Sequence, residues 1–390
     1  MTCMWSMRCN GGRKFLVGLA VMTGLLVGCE SETPPAPPAP ATKTQAPEAA
    51  VTAPKAVLPT RTPGAHTGTF IDREEPSDLR LVTYNVDWNS IFVDVNANRA
   101  EKFARVINTL NPDILALQEI GAAPGNPTGA KAKKRTAEDV VNLLNQIVPL
   151  GPGATWHAFQ GKDCVTASKY PLKMTAEHLV PAGDSDLAMA LVDLPDDKFG
   201  MDFYVLNNHY KCCDAEKNDP RRQRQSDALV HWIHDARTPG DNVDLPTGTA
   251  IAIVGDLNIV GSFQPVQTLI SGDITNEATY GPDFAPDWDD SPLVDAHPLH
   301  NVAGPDDWTW RDDTGQFAPG RLDYVIYTGS VLEAVKKFAL DTTTISDADL
   351  AGAGLQKFDA SFDNEGKNYD HLPLVVDFRA AAGAAHVPGD

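Results

Sequence analysis

The sequence predicts a layered α/β fold, and three observations carry that reading. From Ser77 to Arg379, short apolar runs of strand length alternate with segments whose apolar residues recur at helical spacing. The chain of 390 residues is 42% hydrophobic and 22% charged, enough to bury a core over most of its length. Nearly every candidate strand also ends in, or adjoins, a carboxylate, carboxamide or imidazole, and strand ends are where layered α/β folds place their chemistry. No internal repeat is visible.

The expected strands are Leu79–Asn85, Ile114–Gln118, Phe203–Asn208, Ala250–Gly255, Leu322–Tyr327 and Leu372–Phe378. A helix is expected over Arg99–Leu110, where Phe103, Val106, Ile107 and Leu110 share a face, and another around Val140, Leu143, Leu144 and Ile147. A third, Arg222–Ala236, aligns Leu229, Trp232 and Ile233. These stripes read as core. The stretch Ile270–Trp308, rich in Asp, Pro and Gly without a period, reads as mainly loop.

Ahead of this domain, expected over 77–379, stands an export leader. Arg8, Arg13 and Lys14 precede an apolar run, Phe15–Val27, that falls short of the roughly 20 residues of a membrane span and so reads as a signal-peptide core. Residues 1–28 are expected to be removed, leaving no transmembrane helix in the mature protein. Leu26-Val27-Gly28-Cys29 resembles a bacterial lipobox, which marks Cys29 for lipidation. The Pro-, Ala- and Thr-rich residues up to 68 have little to bury and read as a disordered tether over 29–68; the tail 380–390 is also expected to be disordered. An exported chain, either anchored to a membrane as a lipoprotein or secreted, follows from these features. A monomer is expected.

Three cysteines remain in the domain, Cys164, Cys212 and Cys213. In an exported protein a disulfide from Cys164 to one of the adjacent pair is one expectation. Zinc held by that pair with His209 is the weaker one, because adjacent cysteines lack the usual ligand gap. The formal charge of −20 excludes a basic groove that grips nucleic acid nonspecifically. It does not exclude a nuclease, since a bound divalent cation reverses the local field.

The strand ends carry the chemistry. Asn85 closes LVTYN, Glu119 follows ILALQ, and His209 follows YVLNN. Asp256 and Asn258 lie in VGDLN, Asp323 in RLDYVIY, and Asp370-His371 in YDHLP. Singly, each has an ordinary reading: a surface carboxylate, a turn aspartate, a core imidazole, or for Asp323 a structural pair with Arg321. Together they form a hard-oxygen set suited to Mg2+ or Mn2+, with two histidines for proton transfer, which is what a phosphoryl-transfer site requires.

TYNV, LQE, GDLN, RLDYVIY and DHLP, in that order over Leu79–Phe378, resemble the endonuclease/exonuclease/phosphatase superfamily, the deoxyribonuclease I-like fold. The resemblance implies a four-layered α/β sandwich, two packed and mainly antiparallel sheets flanked by helices, with a metal site at one edge. It implies that Glu119 is the principal metal ligand, helped by Asn85 and Asp370. Asp256 and Asn258 would orient the attacking water and contact the phosphate. His371 would pair with Asp323 as base or electrostatic partner, and His209 would serve the leaving group. HYK followed by RRQRQSDAL is similar to a segment of extracellular nucleases, which makes Arg222, with Asn208, the expected substrate contact; the alternative for the arginine is a solvated helix start.

The expected activity is metal-dependent phosphodiester hydrolysis, with nucleic acid as the leading substrate and a lipid or small phosphoester as the runner-up. A noncatalytic binding lipoprotein is the alternative of a different class.

Overall fold

The computed structural model describes residues 58–61, 67–121, 133–179, 182, 186–213, 215–240, 243–313, 317–361 and 369–382. The expected leader with Cys29, most of the tether and the tail beyond residue 382 lie outside the described residues. Two ends of these segments belong to the domain instead: Leu58, from the expected tether, is buried in its core, and Ala380, from the expected tail, is the last residue of a strand.

In chain order the elements are β1 (Leu79–Asn85), α1 (Ala97–Leu110), β2 (Ile114–Gln118), α2 (Ala137–Ile147), β3 (His157–Gly161), β4 (Cys164–Ser168), β5 (Leu172–Ala176), β6 (Asp186–Val192) and β7 (Phe203–His209). There follow α3 (Ala215–Arg237), β8 (Ala250–Asp256), α4 (Gln264–Ser271), α5 (Glu277–Tyr280), β9 (Val294–Asp295), β10 (Asp323–Tyr327), β11 (Leu332–Ala339), α6 (Asp347–Ala353) and β12 (Leu374–Ala380). All the expected strands and helices are present, within about two residues of their expected limits except α3, which begins at Ala215 ahead of the expected Arg222. The short strands β3 to β6, β9 and β11 and the helices α4 to α6 were not foreseen.

Local chemistry fixes the ends of the helices. Asn96 caps α1 by accepting from the Arg99 amide, and Asn111 ends it in the left-handed region at φ 48°. Thr136 and Asp139 form a reciprocal capping box at the start of α2.

Two six-stranded sheets form, in the orders β11-β12-β1-β2-β4-β3 and β5-β6-β7-β8-β10-β9. Each is antiparallel except for one central parallel pair, β1/β2 and β7/β8, joined by a crossover containing α1 or α3. Side chains alternate across a strand, so each sheet has two faces. Leu81, Ala116 and Val376 of the first sheet meet Val205, Ala252 and Val325 of the second between the sheets. The opposite faces pack on helices: Val82, Leu115 and Val375 with α1 and α2, and Leu206, Ile253 and Ile326 with α3 and α4. The result is the expected four-layered sandwich.

Candidate active site at one edge of the sandwich

The inward face changes character at one end of the central strands. Continuing the inward series leads from Leu79 and Leu81 to Thr83 and Asn85, from Ile114 and Ala116 to Gln118, from Phe203 and Val205 to Asn207 and His209, and from Ala252 and Val254 to Asp256. Gln118 bridges the sheets, donating to Thr83 Oγ1 at 3.0 Å and to Asn207 Oδ1 at 2.7 Å, while Asn207 donates to the Leu117 carbonyl. This polar layer floors the site, with Gln118 Oε1 left buried without a hydrogen-bond partner.

Above it Asn85 joins two carboxylates, its Nδ2 donating to Glu119 Oε1 at 3.2 Å and Asp256 Oδ2 at 3.0 Å. Glu119 leaves β2 with φ 65°, a left-handed conformation that costs an ordinary residue about 1 kcal/mol, and its Oε2 accepts from the Trp88 amide at 3.0 Å. Gly255, at φ 119°, lets β8 run against β7: a Cβ there would lie 2.0 Å from the Asn208 carbonyl oxygen. Asp256 Oδ1 accepts from the Asn258 amide at 2.9 Å, and Asn258 donates to the Tyr210 carbonyl.

Two imidazoles face the same oxygen of Asp256. His209 Nε2 and His371 Nε2 each lie 3.7 Å from Asp256 Oδ2, and each ring places its Nδ1 at 2.8 Å from a second carboxylate, Asp163 and Asp323 respectively. Asp323 also accepts from Thr309 Oγ1 at 2.6 Å. Asp370 stands exposed beside its neighbour His371 and accepts from Trp310 Nε1 at 3.3 Å.

Burial disfavours charge on all these groups, and the site answers differently at each. It raises Glu119 to about 7, with Asp370 and Asp87 adding to the shift against the pull of both histidines. It raises Asp256, which the imidazoles pull back down. For His209 burial is outweighed by the hydrogen bond and charge of Asp163 and by Asp256 and Glu119, so the ring rises to about 10. His371 is held well above its ordinary value, as Asp323 and Asp256 outweigh burial.

The structure thus brings together Asn85, Glu119, His209, Asp256, Asn258, Asp323 and His371, with Asp370 at the rim. Two expected substrate contacts are corrected. Arg222 is fully buried and donates to Asp219 and to the Lys211 and Cys213 carbonyls, so it ties the loop after β7 to α3 and has no face for a phosphate. Asn208 has the wrong parity: it is buried, and its amide donates to the Leu206 carbonyl of its own strand. Asp323 does not pair with Arg321, which holds Asp295 bidentately. The expected disulfide is not formed either. Cys164, Cys212 and Cys213 are free, and Cys164 is buried against Asp163 and the Asp186 carbonyl.

Asp163, Thr309 and Asn207 were missed. Asp163 occupies the turn of the β3–β4 hairpin, and the available signal was the Gly161-Lys162-Asp163-Cys164 turn between two five-residue strands.

Two donor sets could hold a divalent cation. Asp256, Asp323 and His371 offer ligand atoms within 4.8 Å of one another, but Asp323 and His371 are already bound to each other, with Thr309 completing the pair. Glu119, Asn85 and the exposed Asp370 offer oxygens alone, Asn85 being linked to Glu119 through its Nδ2 and not through its oxygen, and such hard donors fit Mg2+ or Mn2+ better.

The sequence profile of the endonuclease/exonuclease/phosphatase family matches residues 82–347, and the chain belongs to that family. Similar solved structures include the catalytic domain of human Nocturnin with bound sulfate, at 14% identity, covering 79% of this chain and 97% of that one, TM-score 0.46. TDP2 of D. rerio, complexed with single strand DNA product, is similar at 14% identity over 78% of this chain and 99% of its own, TM-score 0.47. An endonuclease/exonuclease/phosphatase from Bacteroides vulgatus shows the same identity, coverage and TM-score. No curated protein matches the chain. Members of the family are typically metal-dependent phosphoesterases. Among the described residues no helix is long and apolar enough to cross a membrane.

Proposed function

We propose that the chain is an exported, Mg2+- or Mn2+-dependent phosphodiester hydrolase acting on nucleic acid. One observation carries the catalytic part of this reading: two carboxylate-backed imidazoles converge on Asp256 Oδ2 beside the oxygen-rich Glu119–Asn85 edge. Glu119, Asn85 and Asp370 would hold the cation, which when bound neutralises phosphate oxygens. Asp256, fixed by the Asn258 amide, accepts a hydrogen bond from the attacking water. With Nδ1 of His371 engaged by Asp323, its Nε2 is the nitrogen left to meet a phosphate oxygen. His209, backed by Asp163, delivers its Nε2 proton to the leaving oxygen.

Nucleic acid is favoured by the likeness of the segment from His209 onward to extracellular nucleases. A lipid phosphoester is the second reading. It is favoured by exposed Val260 and Phe263 in the loop after Asn258, and by exposed Phe317 in the loop leading to Gly320, which pairs with Trp310 beside His371. Lipidation at Cys29 and anchoring through the Pro-, Ala- and Thr-rich segment ahead of Leu58 complete the proposal.

The test is a panel of plasmid DNA, RNA, sphingomyelin and bis-nitrophenyl phosphate with Mg2+ or Mn2+. Cleavage of DNA or RNA abolished by EDTA is expected. Turnover of sphingomyelin alone would select the lipid reading, and no EDTA-sensitive turnover of any member would reject both. Export is tested separately: Cys29→Ala should move the protein from the membrane to the soluble fraction.

A further inference from the structure

The chain between β1 and α1 takes an uncommon course. Asp87, Trp88 and Asn89 stand in succession in the left-handed region, at φ 42°, 45° and 66°, the longest such run of non-glycine positions among the described residues. Asparagine tolerates that conformation, whereas a bulky side chain such as that of Trp88 rarely adopts it. Strain of this kind persists only where the surroundings over-determine it. Starting α1 does not require it, because that helix has its own cap in Asn96.

The turn aims three successive amides at one place. The Asp87 N–H donates to Asn85 Oδ1 at 3.2 Å, the Trp88 N–H to Glu119 Oε2 at 3.0 Å, and the Asn89 N–H to the Glu119 carbonyl at 3.0 Å. Successive amides turned to one side form a concave nest for oxygen acceptors. The oxygens received here belong to Asn85 and Glu119, the two residues whose side chains meet beside Asp256.

The side chain of Asn89 then fixes the nest to the strand end that carries Glu119. It is fully buried: its Oδ1 accepts from the Gly121 amide at 2.9 Å, and its Nδ2 donates to the Gly121 carbonyl and, at 3.2 Å, to that of Lys133. With its own amide on the Glu119 carbonyl, Asn89 holds both ends of the turn 119–121, in which Glu119 and Gly121 also have positive φ, 65° and 155°. Ile120, between them, is held from the other side, its amide donating to the Asp163 carbonyl at 2.9 Å and its carbonyl accepting from Gln160 Nε2 at 2.9 Å. Ligand carboxylates depend on such outer partners, whose removal typically weakens metal binding by about tenfold or more.

On the reading of Glu119 and Asn85 as metal ligands, we propose that Asn89 is their positioning residue. It locks the left-handed turn against residues 119–121, so that the amides of Trp88 and Asp87 preset one oxygen of each ligand before the cation arrives. Asn89 acts through those oxygens, its own Oδ1 being engaged by the Gly121 amide.

The experiment uses the full chain, freed of metal with EDTA, exchanged into EDTA-free buffer and titrated with Mn2+ in the absence of substrate. Bound ion is counted from the loss of the free-ion EPR signal. Asn89→Gly, which removes the side chain and tolerates a left-handed backbone, should raise the Kd for Mn2+ about tenfold or more. Ser346→Ala, which removes the cap of α6 and lowers Tm without touching the site, should bind Mn2+ as the wild type does. In a Glu119→Ala background, itself weakened, Asn89→Gly should add nothing, because the two act as a unit. Hydrogen exchange needs no variant: in the unaltered chain kept in EDTA, the Trp88 and Asn89 amides should be protected. Unchanged Mn2+ binding in Glu119→Ala would sink the ligand assignment and the positioning role with it. If Glu119→Ala weakens binding, the positioning role alone is overturned by wild-type affinity in Asn89→Gly, an equal loss in Ser346→Ala, a further loss in the double variant, or free exchange of the Trp88 and Asn89 amides.

Discussion

The two histidine–aspartate pairs of the site are built to one plan and held to different degrees. Each straddles the sandwich: His209 on β7 of the second sheet meets Asp163 in the β3–β4 turn of the first, and His371 at the approach to β12 of the first sheet meets Asp323 on β10 of the second. Nδ1–Oδ2 is 2.8 Å in both, and both Nε2 atoms lie 3.7 Å from Asp256 Oδ2. The side chains of His209 and Asp163 are 11% and 12% exposed, against 5% and 0% for His371 and Asp323. Asp323 is also fixed by Thr309, and His371 is bridged through its backbone to Trp310. One pair is thus part of the core, whereas the other rests on a hairpin turn that can adjust. A group that must follow a departing oxygen belongs on the adjustable side, and one that holds a fixed charge belongs in the core.

The largest effects are expected at the buried pair. His371→Ala should lower kcat by roughly 10³ or more, and Asp323→Asn should fall in the same class by removing the acceptor that orients the ring. Wild-type turnover in either would remove the pair from the mechanism. Glu119→Ala comes next and should act through metal dependence: the Mg2+ concentration giving half-maximal activity should rise at least tenfold. Unchanged activity at limiting Mg2+ would unseat Glu119 as a ligand. His209→Ala is expected to cost about 10² in turnover and Asp163→Asn about tenfold. Combining these two should be no worse than His209→Ala alone, because residues acting as a unit are not additive. Additive losses would mean that Asp163 acts on something other than His209.

The same contrast explains what could be read from the sequence. Strands flanked by long apolar runs, such as Ala250–Asp256, announced both themselves and the polar residue at their end, so Asp256, Glu119 and His209 were legible. The half-buried strand His157–Gly161 has no clear alternation, so its hairpin and Asp163 were not. The deeper pair was legible at both ends because Asp323 and His371 each border a buried strand. Asn207 and Asn208 are adjacent and alike in sequence, and only the pairing of the strand decides which one faces inward. Arg222 was expected to open the helix Arg222–Ala236, where it would meet substrate or, as the alternative, solvent. The helix in fact begins at Ala215, which turns the guanidinium back onto the loop that carries Cys213.

That correction sets the next prediction, because Arg222 secures the loop through which the adjustable pair joins α3. Arg222→Ala removes the guanidinium from the Lys211 carbonyl and Asp219 Oδ1, while the Cys213 carbonyl keeps Asn218 Nδ2 and Asp219 Oδ2 keeps the Ser262 amide, and should cost about 2 kcal/mol in stability. KM for a phosphodiester should stay unchanged. A rise in KM at constant Tm would return Arg222 to the substrate.

The smallest effect sharpens the comparison from outside the site. Lys169 and Asp113 are also a buried acid–base pair, but here burial defeats the partner, and Lys169 falls from 10.5 to about 8, whereas His209 rises from 6.5 to about 10. The signs of the two linkages are opposite. Stability from His209 is complete below pH 6.5 and is lost as pH rises toward 10, because the folded chain keeps a proton that the unfolded chain has given up. Lys169 does the reverse between pH 8 and 10.5: the unfolded chain holds the extra proton, so raising the pH favours the fold. Only a difference between variants separates the two contributions. Measured by denaturant midpoints in EDTA, the stability of the wild type minus that of Lys169→Met should increase from pH 8 to pH 10. The wild type minus His209→Ala should decrease over the same interval. If the Lys169 difference stays flat, the charge of Asp113 holds the lysine protonated, and the pair at the far end of the sandwich obeys the same balance as the two at the catalytic edge.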